Sequence, residues 1–200
     1  MSRNVTIWGV IGLLWGAFFL WYTNLQGPLT EAEIDTIVAR LEARGGPAAD
    51  IAALRDFLAS DTGDDFVMLN VIEMNDGADA AAAEALNEYM GYMWPALLSR
   101  ASHPIFTGTA AAPALDVWGI DGATRWSSGT LMRYRSRRDM MEIAGNAEFQ
   151  GSHEFKIATM AKTVAFPLDP WVSLGDPRLL LALILAVIGL GLTRVCRADG

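Results

Sequence analysis

Two hundred residues are room for one ordinary domain with additions, and 52% of them are hydrophobic against only 19% charged, a balance at the apolar end of the soluble range. The formal net charge of −8 works against nucleic acid and anionic surfaces as partners. One cysteine, Cys196, excludes an internal disulfide framework and any metal site built from cysteines.

The apolar excess lies in two blocks near the ends. Setting aside Arg3, Arg178, Arg194, Arg197 and Asp199 leaves 11 basic and 22 acidic residues, so the middle carries a net charge of −11. The first block has no charge from Asn4 to Thr30. Its core, Val5 to Tyr22, would be roughly 27 Å long as a helix, close to the hydrocarbon thickness of a bilayer. Trp21 and Tyr22, with Trp8 toward the other end, sit where an interfacial aromatic belt belongs. A lone arginine before the block and no small-x-small site after it predict a retained anchor over residues 4–24 rather than a removed signal peptide. Gly12 and Gly16, with Gly9 on a neighbouring face, form a small-xxx-small pair that would let two helices approach. Glycine is also simply frequent in membrane helices.

A helical hairpin is predicted over residues 29–61. Thr30 and Glu33 spell a capping box ahead of Ile34, Ile37, Val38 and Leu41 at helical spacing. Gly45-Gly46 ends that helix, and Pro47 begins another with Ile51, Leu54, Phe57 and Leu58 as its apolar face.

The next domain is predicted over 64–169. Phe66 to Met74 is a nearly continuous apolar run between Asp64-Asp65 and Asn75-Asp76-Gly77, which reads as a strand buried on both faces. Ala78 to Arg100 reads as a helix with a stripe from Leu86 to Leu98 and a kink near Gly91 imposed by Pro95. Strands follow at His103–Ala110 and Arg125–Arg135, with a loop over Ala111–Ala123. Ser136 caps a helix through Ile143, Gly145-Asn146 breaks it, Ala147 to Met160 resumes it, and Lys162–Leu168 is the last strand. Strand, helix, strand, strand, helix, strand is the ferredoxin-like βαββαβ order, an α+β fold with both helices on one sheet face. The second face needs a cover, and another copy of the sheet would supply it in a homodimer.

Leu179 to Thr193 is the second apolar block, and a second membrane helix is predicted over 177–195 with Arg178 and Arg194 snorkelling. Arg3 lies outside one span and Arg194 and Arg197 outside the other, so both termini are expected in the cytoplasm. The acidic middle is then on the far side of the inner membrane, periplasmic in a bacterium.

Met68-Leu69-Asn70-Val71, the run Thr130 to Ser136, and the run Asn146 to His153 resemble the dimeric α/β-barrel superfamily, nearest within it to a small bacterial family of uncharacterised function. The resemblance covers about half the chain. It implies a ferredoxin-like fold and a homodimer but no single reaction, because the superfamily includes monooxygenases, isomerases and haem enzymes. The two flanking spans are not part of the usual pattern and mark a membrane-tethered member. In haem-degrading relatives the position matching His153 is the iron ligand, that matching Asn70 contacts haem, and a tryptophan stands where this chain has Tyr134. The resemblance thus makes His153, Asn70 and Tyr134 the candidate catalytic residues, His153 the candidate cofactor ligand, and haem the cofactor to test. A neutral imidazole suits either metal binding or general base work near neutral pH.

Other residues have plainer readings. His103 before Pro104 is a strand-entrance residue. Arg125, Arg133, Arg135, Arg137 and Arg138 are either an anionic-ligand patch or a solvated rim paired with carboxylates. The methionines read as core filling. Two functions are therefore expected. The first is a two-span membrane protein whose extracytoplasmic domain is an accessory or interaction subunit, as a homodimer or within a membrane complex. The second is a small-molecule enzyme or haem-binding protein with a pocket between helices and sheet.

Overall fold

The structure is a computed structural model, and it describes residues 3–45, 47–75, 90–91, 93–146, 159–173 and 175–198. In chain order the elements are α1 (Arg3–Tyr22), α2 (Glu31–Glu42), α3 (Ala48–Ala59), β1 (Phe66–Met74), α4 (residues 93–99), β2 (His103–Thr109), β3 (Ser128–Tyr134), α5 (Arg137–Ala144), β4 (Met160–Leu168) and α6 (Pro177–Ala198). The chain divides into two compact units, Met1–Leu25 with Pro170–Gly200, and Gln26–Asp169.

In the first unit α1 and α6 are each long and apolar enough to cross a membrane. Neither has a polar stripe: Leu13, Leu20, Leu183 and Val187 all point outward and are more than half exposed. A soluble helix hides such a surface, whereas lipid matches it. The two helices pack on each other. The indole Nε1 of Trp15 donates to the carbonyl of Arg178 at 3.0 Å, while Trp8 and Ile11 lie against Gly189, so the helices run antiparallel. A Cβ on Gly189 would come within 2.6 Å of Ile11 Cδ1 and 2.9 Å of Trp8 Cη2, so any side chain there would have to displace those side-chain ends. Gly9, Gly12 and Gly16 have nothing within 4 Å of a Cβ position. The small-xxx-small face expected to seat a neighbour therefore points away from α6, and the close contact uses a glycine on α6 instead.

The second unit is an α+β fold built on a four-stranded antiparallel sheet in the order β2-β3-β1-β4. With the chain order of the elements, this is the ferredoxin-like topology. Pro104 and Pro167, which cannot donate to a ladder, lie on the two edge strands β2 and β4. The strand expected from Arg125 begins at Ser128, and the strand expected from Lys162 begins at Met160, which pairs with Met74. Met160 therefore belongs to the sheet and not to the helix predicted to end there. The helix expected over Ala78–Arg100 is described at residues 90–91 and 93–99 only, and residues 147–158 lie outside the described residues.

Two hydrophobic clusters hold the unit together. Met93 and Leu97 of α4 and Ile143 of α5 are buried together with Met132 and Tyr134 packed against them, which places both helices on one sheet face. The hairpin α2–α3 closes over Leu29, Ile34, Val38 and Leu58, joined by Met141 of α5. Each such fully buried side chain stabilises the fold by about 1.5–3 kcal/mol. Thr30 forms the expected capping box with Glu33. Gly63, at φ +83°, lies 2.7 Å from Gly27 C by its Cβ direction, so a side chain there would collide with the backbone that leads into α2.

Strand register fixes the unit's polarity. Val67 pairs with Leu168, Phe66 with Tyr134, and Leu29 N donates to Asp61 Oδ2 at 2.8 Å just before β1. Gln26 and Asp169, where this unit meets the rest of the chain, therefore both lie at the Phe66 end of the sheet. The β2–β3 loop, residues 110–127, lies at the Met74 end.

Candidate functional site

Residues directly opposite in an antiparallel pair share a face. Met132 and Tyr134 face the helices, so their partners Met68 and Phe66, together with Asn70, do as well. The opposite face carries Val67, Leu69, Val71 and Glu73 of β1, and by register Lys162, Val164, Phe166 and Leu168 of β4, Leu131 and Arg133 of β3, and Phe106 of β2.

On the helix-facing side Asn70, Thr130 and Thr107 form one polar row across three strands. The two threonine hydroxyls are 3.1 Å apart, and the Asn70 amide donates back to the carbonyl of Met68 at 3.2 Å. Asn70 thus makes a local bond within β1 and is half-buried. Tyr134 stacks on Phe66 at 5.4 Å between ring centroids, and Phe66 meets Phe57 of α3 edge-on at 5.4 Å. Burial pushes the Tyr134 phenol up to about 12, so it stays protonated through the physiological range and acts as a packed ring, not a base. Asn70 and Tyr134 do share the helix-facing side. His153 lies outside the described residues.

The residues described on this side include no histidine or cysteine, and His103 falls on the other face opposite Arg133. Tyr134, at the position where haem-degrading relatives carry tryptophan, is wedged between Phe66 and the α4–α5 cluster.

All five arginines pair with carboxylates, as the rim reading expects, but only Arg125, 65% exposed and 3.5 Å from Glu73, is solvated; the other four are drawn into the fold. Arg133, 4% exposed, binds Asp65 Oδ2 at 2.8 Å and the carbonyl of Ala101 at 2.8 Å. Arg135 grips Asp139 through two bonds of 2.7 Å. Arg137, 3% exposed, donates to the carbonyl of Phe57 and to Ser60 Oγ, lies 3.6 Å from Asp61 and 3.5 Å from Asp169, and covers the Phe57 ring at 4.3 Å. Arg138 bonds Glu33 Oε1 at 2.9 Å and the carbonyls of Gly27 and Pro28. The Arg138 hydrogen bond, with those from Thr30, holds the Glu33 carboxyl at about 2. Arg137 and Arg138 are thus clamps that tie the hairpin to α5. A residue-by-residue reading misses this because charged side chains are taken as exposed by default.

Sequence reasoning also passed over a cluster at the Met74 end of the second face. Glu73, 9% exposed, lies 3.5 Å from Arg125 and within 3.5 Å of Ser127 Oγ. Lys162 sits over the Trp126 ring at 4.6 Å and donates to the carbonyl of Gly122. A carboxylate inside an apolar strand was the available signal. A cavity of about 290 Å³ beside it is lined by Glu73, Pro113, Arg125 and Trp126. A larger one, about 560 Å³, opens between α4 and α5 at Pro95, Arg100, Glu142 and Ile143.

Away from Glu73, Lys162 and Arg133, the second face leaves apolar side chains open. Phe106 is 59% exposed, Phe166 43% and Val164 42%.

No protein-family model matches the chain, and no curated protein does. Among solved structures it is similar to a protein of unknown function from Rhodopseudomonas palustris at 18% identity, covering 64% of this chain and 96% of that one with a TM-score of 0.49. The methylated form of the same protein matches at 19% identity over 65% and 96% of the two chains, with a TM-score of 0.50. A dimeric ferredoxin-like protein of unknown function from Thermobifida fusca matches at 10% identity over 53% of this chain and 91% of that one, with a TM-score of 0.35. At these identities the likeness is one of fold.

Proposed function

We propose that the protein is a two-span inner-membrane protein whose ferredoxin-like unit is an accessory or interaction module, working as a homodimer or within a membrane complex. One observation carries the reading: the sheet face away from the helices presents Phe106, Val164 and Phe166 to solvent. Exposed apolar area of this kind marks an interaction surface. A second copy of the same sheet matches it in shape and in polarity, because an isologous contact pairs a patch with itself. On this face Glu73 is met by Arg125 and Arg133 by Asp65, while Lys162 bonds the carbonyl of Gly122 and covers the Trp126 ring.

The full chain in mild detergent is expected to have twice the protomer mass by light scattering after correction for the micelle. Phe166→Asp places a charge in the interface and should convert it to a protomer. A protomer mass for the unaltered chain at every concentration overturns the reading. On this reading both termini are cytoplasmic and the sheet lies outside, as the placement of Arg3, Arg194 and Arg197 outside the spans favours. A reporter active only in the cytoplasm should therefore work when fused after Gly200 and fail when inserted at Asp116. The reverse pattern inverts the orientation.

A second reading rests on the polar row of Thr107, Thr130 and Asn70 on the helix-facing side, which would orient a small molecule between helices and sheet. Its haem version predicts a Soret band on haem titration that is lost in His153→Ala. An unchanged spectrum at excess haem removes that version.

A further inference from the structure

Glu73 is the charged residue of β1, and the sheet buries it to 9% exposure. Among the described residues its carboxylate has two contacts, Arg125 Nη2 at 3.5 Å and Ser127 Oγ at 3.5 Å. A charge-assisted hydrogen bond is about 2.5–2.9 Å long, and a carboxylate has room to accept about four hydrogen bonds. Most of that capacity is therefore unspent, although buried acceptors are ordinarily satisfied. The buried carboxylates elsewhere in this unit follow the rule. Asp61 accepts from Leu29 N at 2.8 Å, and Asp139 accepts from Arg135 at 2.7 Å.

The groups beside Glu73 are fixed by other bonds. Ser127 N donates to Ile72 O at 2.8 Å, Ser127 O accepts from Ala110 N at 2.9 Å, and Ser127 Oγ accepts from Met74 N at 2.9 Å. Trp126 Nε1 donates to Ala123 O at 2.9 Å. Lys162, the cross-strand partner of Glu73, is turned onto the Trp126 ring and the carbonyl of Gly122. The strand register shifts between Glu73 and Met74, and an irregularity of this kind re-aims a side chain. Glu73 lines a cavity of about 290 Å³ with Pro113, Arg125, Trp126 and Ser127. That volume lies just below the range of about 300–1,000 Å³ for small-molecule pockets, so the occupant is compact.

Charge selects among compact molecules. A lone cation would be met by Glu73 and opposed by Arg125, and a lone anion would meet the reverse. A molecule with both charges is answered at both ends. We propose that this cavity binds a small zwitterion, an α-amino acid with a short apolar side chain. Its ammonium bonds Glu73 and the Oγ of Ser127, and its carboxylate takes the guanidinium of Arg125. The Arg125 side chain is 65% exposed, so its fork can turn to a carboxylate at the mouth without disturbing the core. Pro113 and Ala112 give the side chain an uncharged wall. Every residue of the site belongs to the Gln26–Asp169 unit, so binding needs neither the bilayer nor a second copy. The site is on the sheet face opposite the polar row of Asn70, Thr130 and Thr107.

The test is equilibrium dialysis of the full chain in detergent against radiolabelled L-alanine. Saturable binding at one site per chain is expected. Glu73→Gln, which keeps the shape and removes the charge, should weaken it about tenfold or more, and so should Arg125→Gln. Ethylamine and propionate, with one charge each, should displace the label only at concentrations about tenfold or more above that of unlabelled L-alanine. Should Glu73→Gln fail to fold by circular dichroism, Arg125→Gln decides, because its side chain is exposed. Absence of saturable binding up to about 10 mM L-alanine overturns the site. Binding unchanged by Arg125→Gln overturns it too, as does displacement by ethylamine as effective as that by L-alanine.

Discussion

At the scale of single residues, the hairpin clamp is chemistry between groups far apart in sequence. Arg137 and Asp61 are almost wholly buried, with side chains 4% and 2% exposed. Asp61 also accepts from the backbone of Leu29 and Gly63. Arg137→Met leaves that carboxylate buried without its cation, and removing one partner of a buried pair costs about 3–5 kcal/mol. Chemical denaturation should show a loss of this size, with partial recovery when Asp61→Asn is added. The Glu33–Arg138 pair is different, because the Glu33 side chain is 41% exposed. Its folded carboxyl titrates at about 2, below the ordinary value of 4.5. The pair's contribution is therefore complete above about pH 4.5 and lost as pH falls toward 2. Solvent screening limits it to about 0.2–1 kcal/mol. Glu33→Gln should flatten the stability profile between those two values and leave it unchanged in shape above them.

Among the elements, the pairing of α1 with α6 turns on one small residue. Gly189→Leu forces a side chain onto Trp8 and Ile11, an overpacking that costs about 1–3 kcal/mol. Gly12→Leu adds its side chain to open space. Thermal unfolding in detergent should therefore fall for Gly189→Leu and hold for Gly12→Leu. Equal losses would mean that the face carrying Gly12 is covered as well. The hairpin illustrates the same dependence on a neighbour. Its first helix starts on a local cap made by Thr30 and Glu33, yet the core of the hairpin is completed by Met141 from α5.

For the molecule as a whole, the sheet separates two kinds of surface. One face is closed by α4 and α5 over Met132 and Tyr134. The other leaves Phe106, Val164 and Phe166 open. Both junctions with the apolar helices fall at one end of the strands, and the apolar loop falls at the other. The double-mass measurement described above tests whether the open face is where two copies meet.

Much of this was legible in the residues themselves. The uncharged runs around Val5 and Leu179, the Thr30–Glu33 capping box, the Ser136 cap and the apolar run from Phe66 all follow from interactions spanning a few positions. Helix periodicity and capping are local physics, and they also yield the element order of a ferredoxin-like unit. The roles of the arginines were not legible. Arg133 meets Asp65, 68 positions away, and Arg138 meets Glu33, 105 positions away. No local pattern selects those partners. They follow from strand register and from where the hairpin docks. The same holds for Gly189 rather than Gly12 at the helix contact, and for Asn70 bonding its own strand. Composition and short-range order determined which segments are helices and strands. Only the packing of those segments decided which charges are buried in pairs and which apolar face remains to be covered.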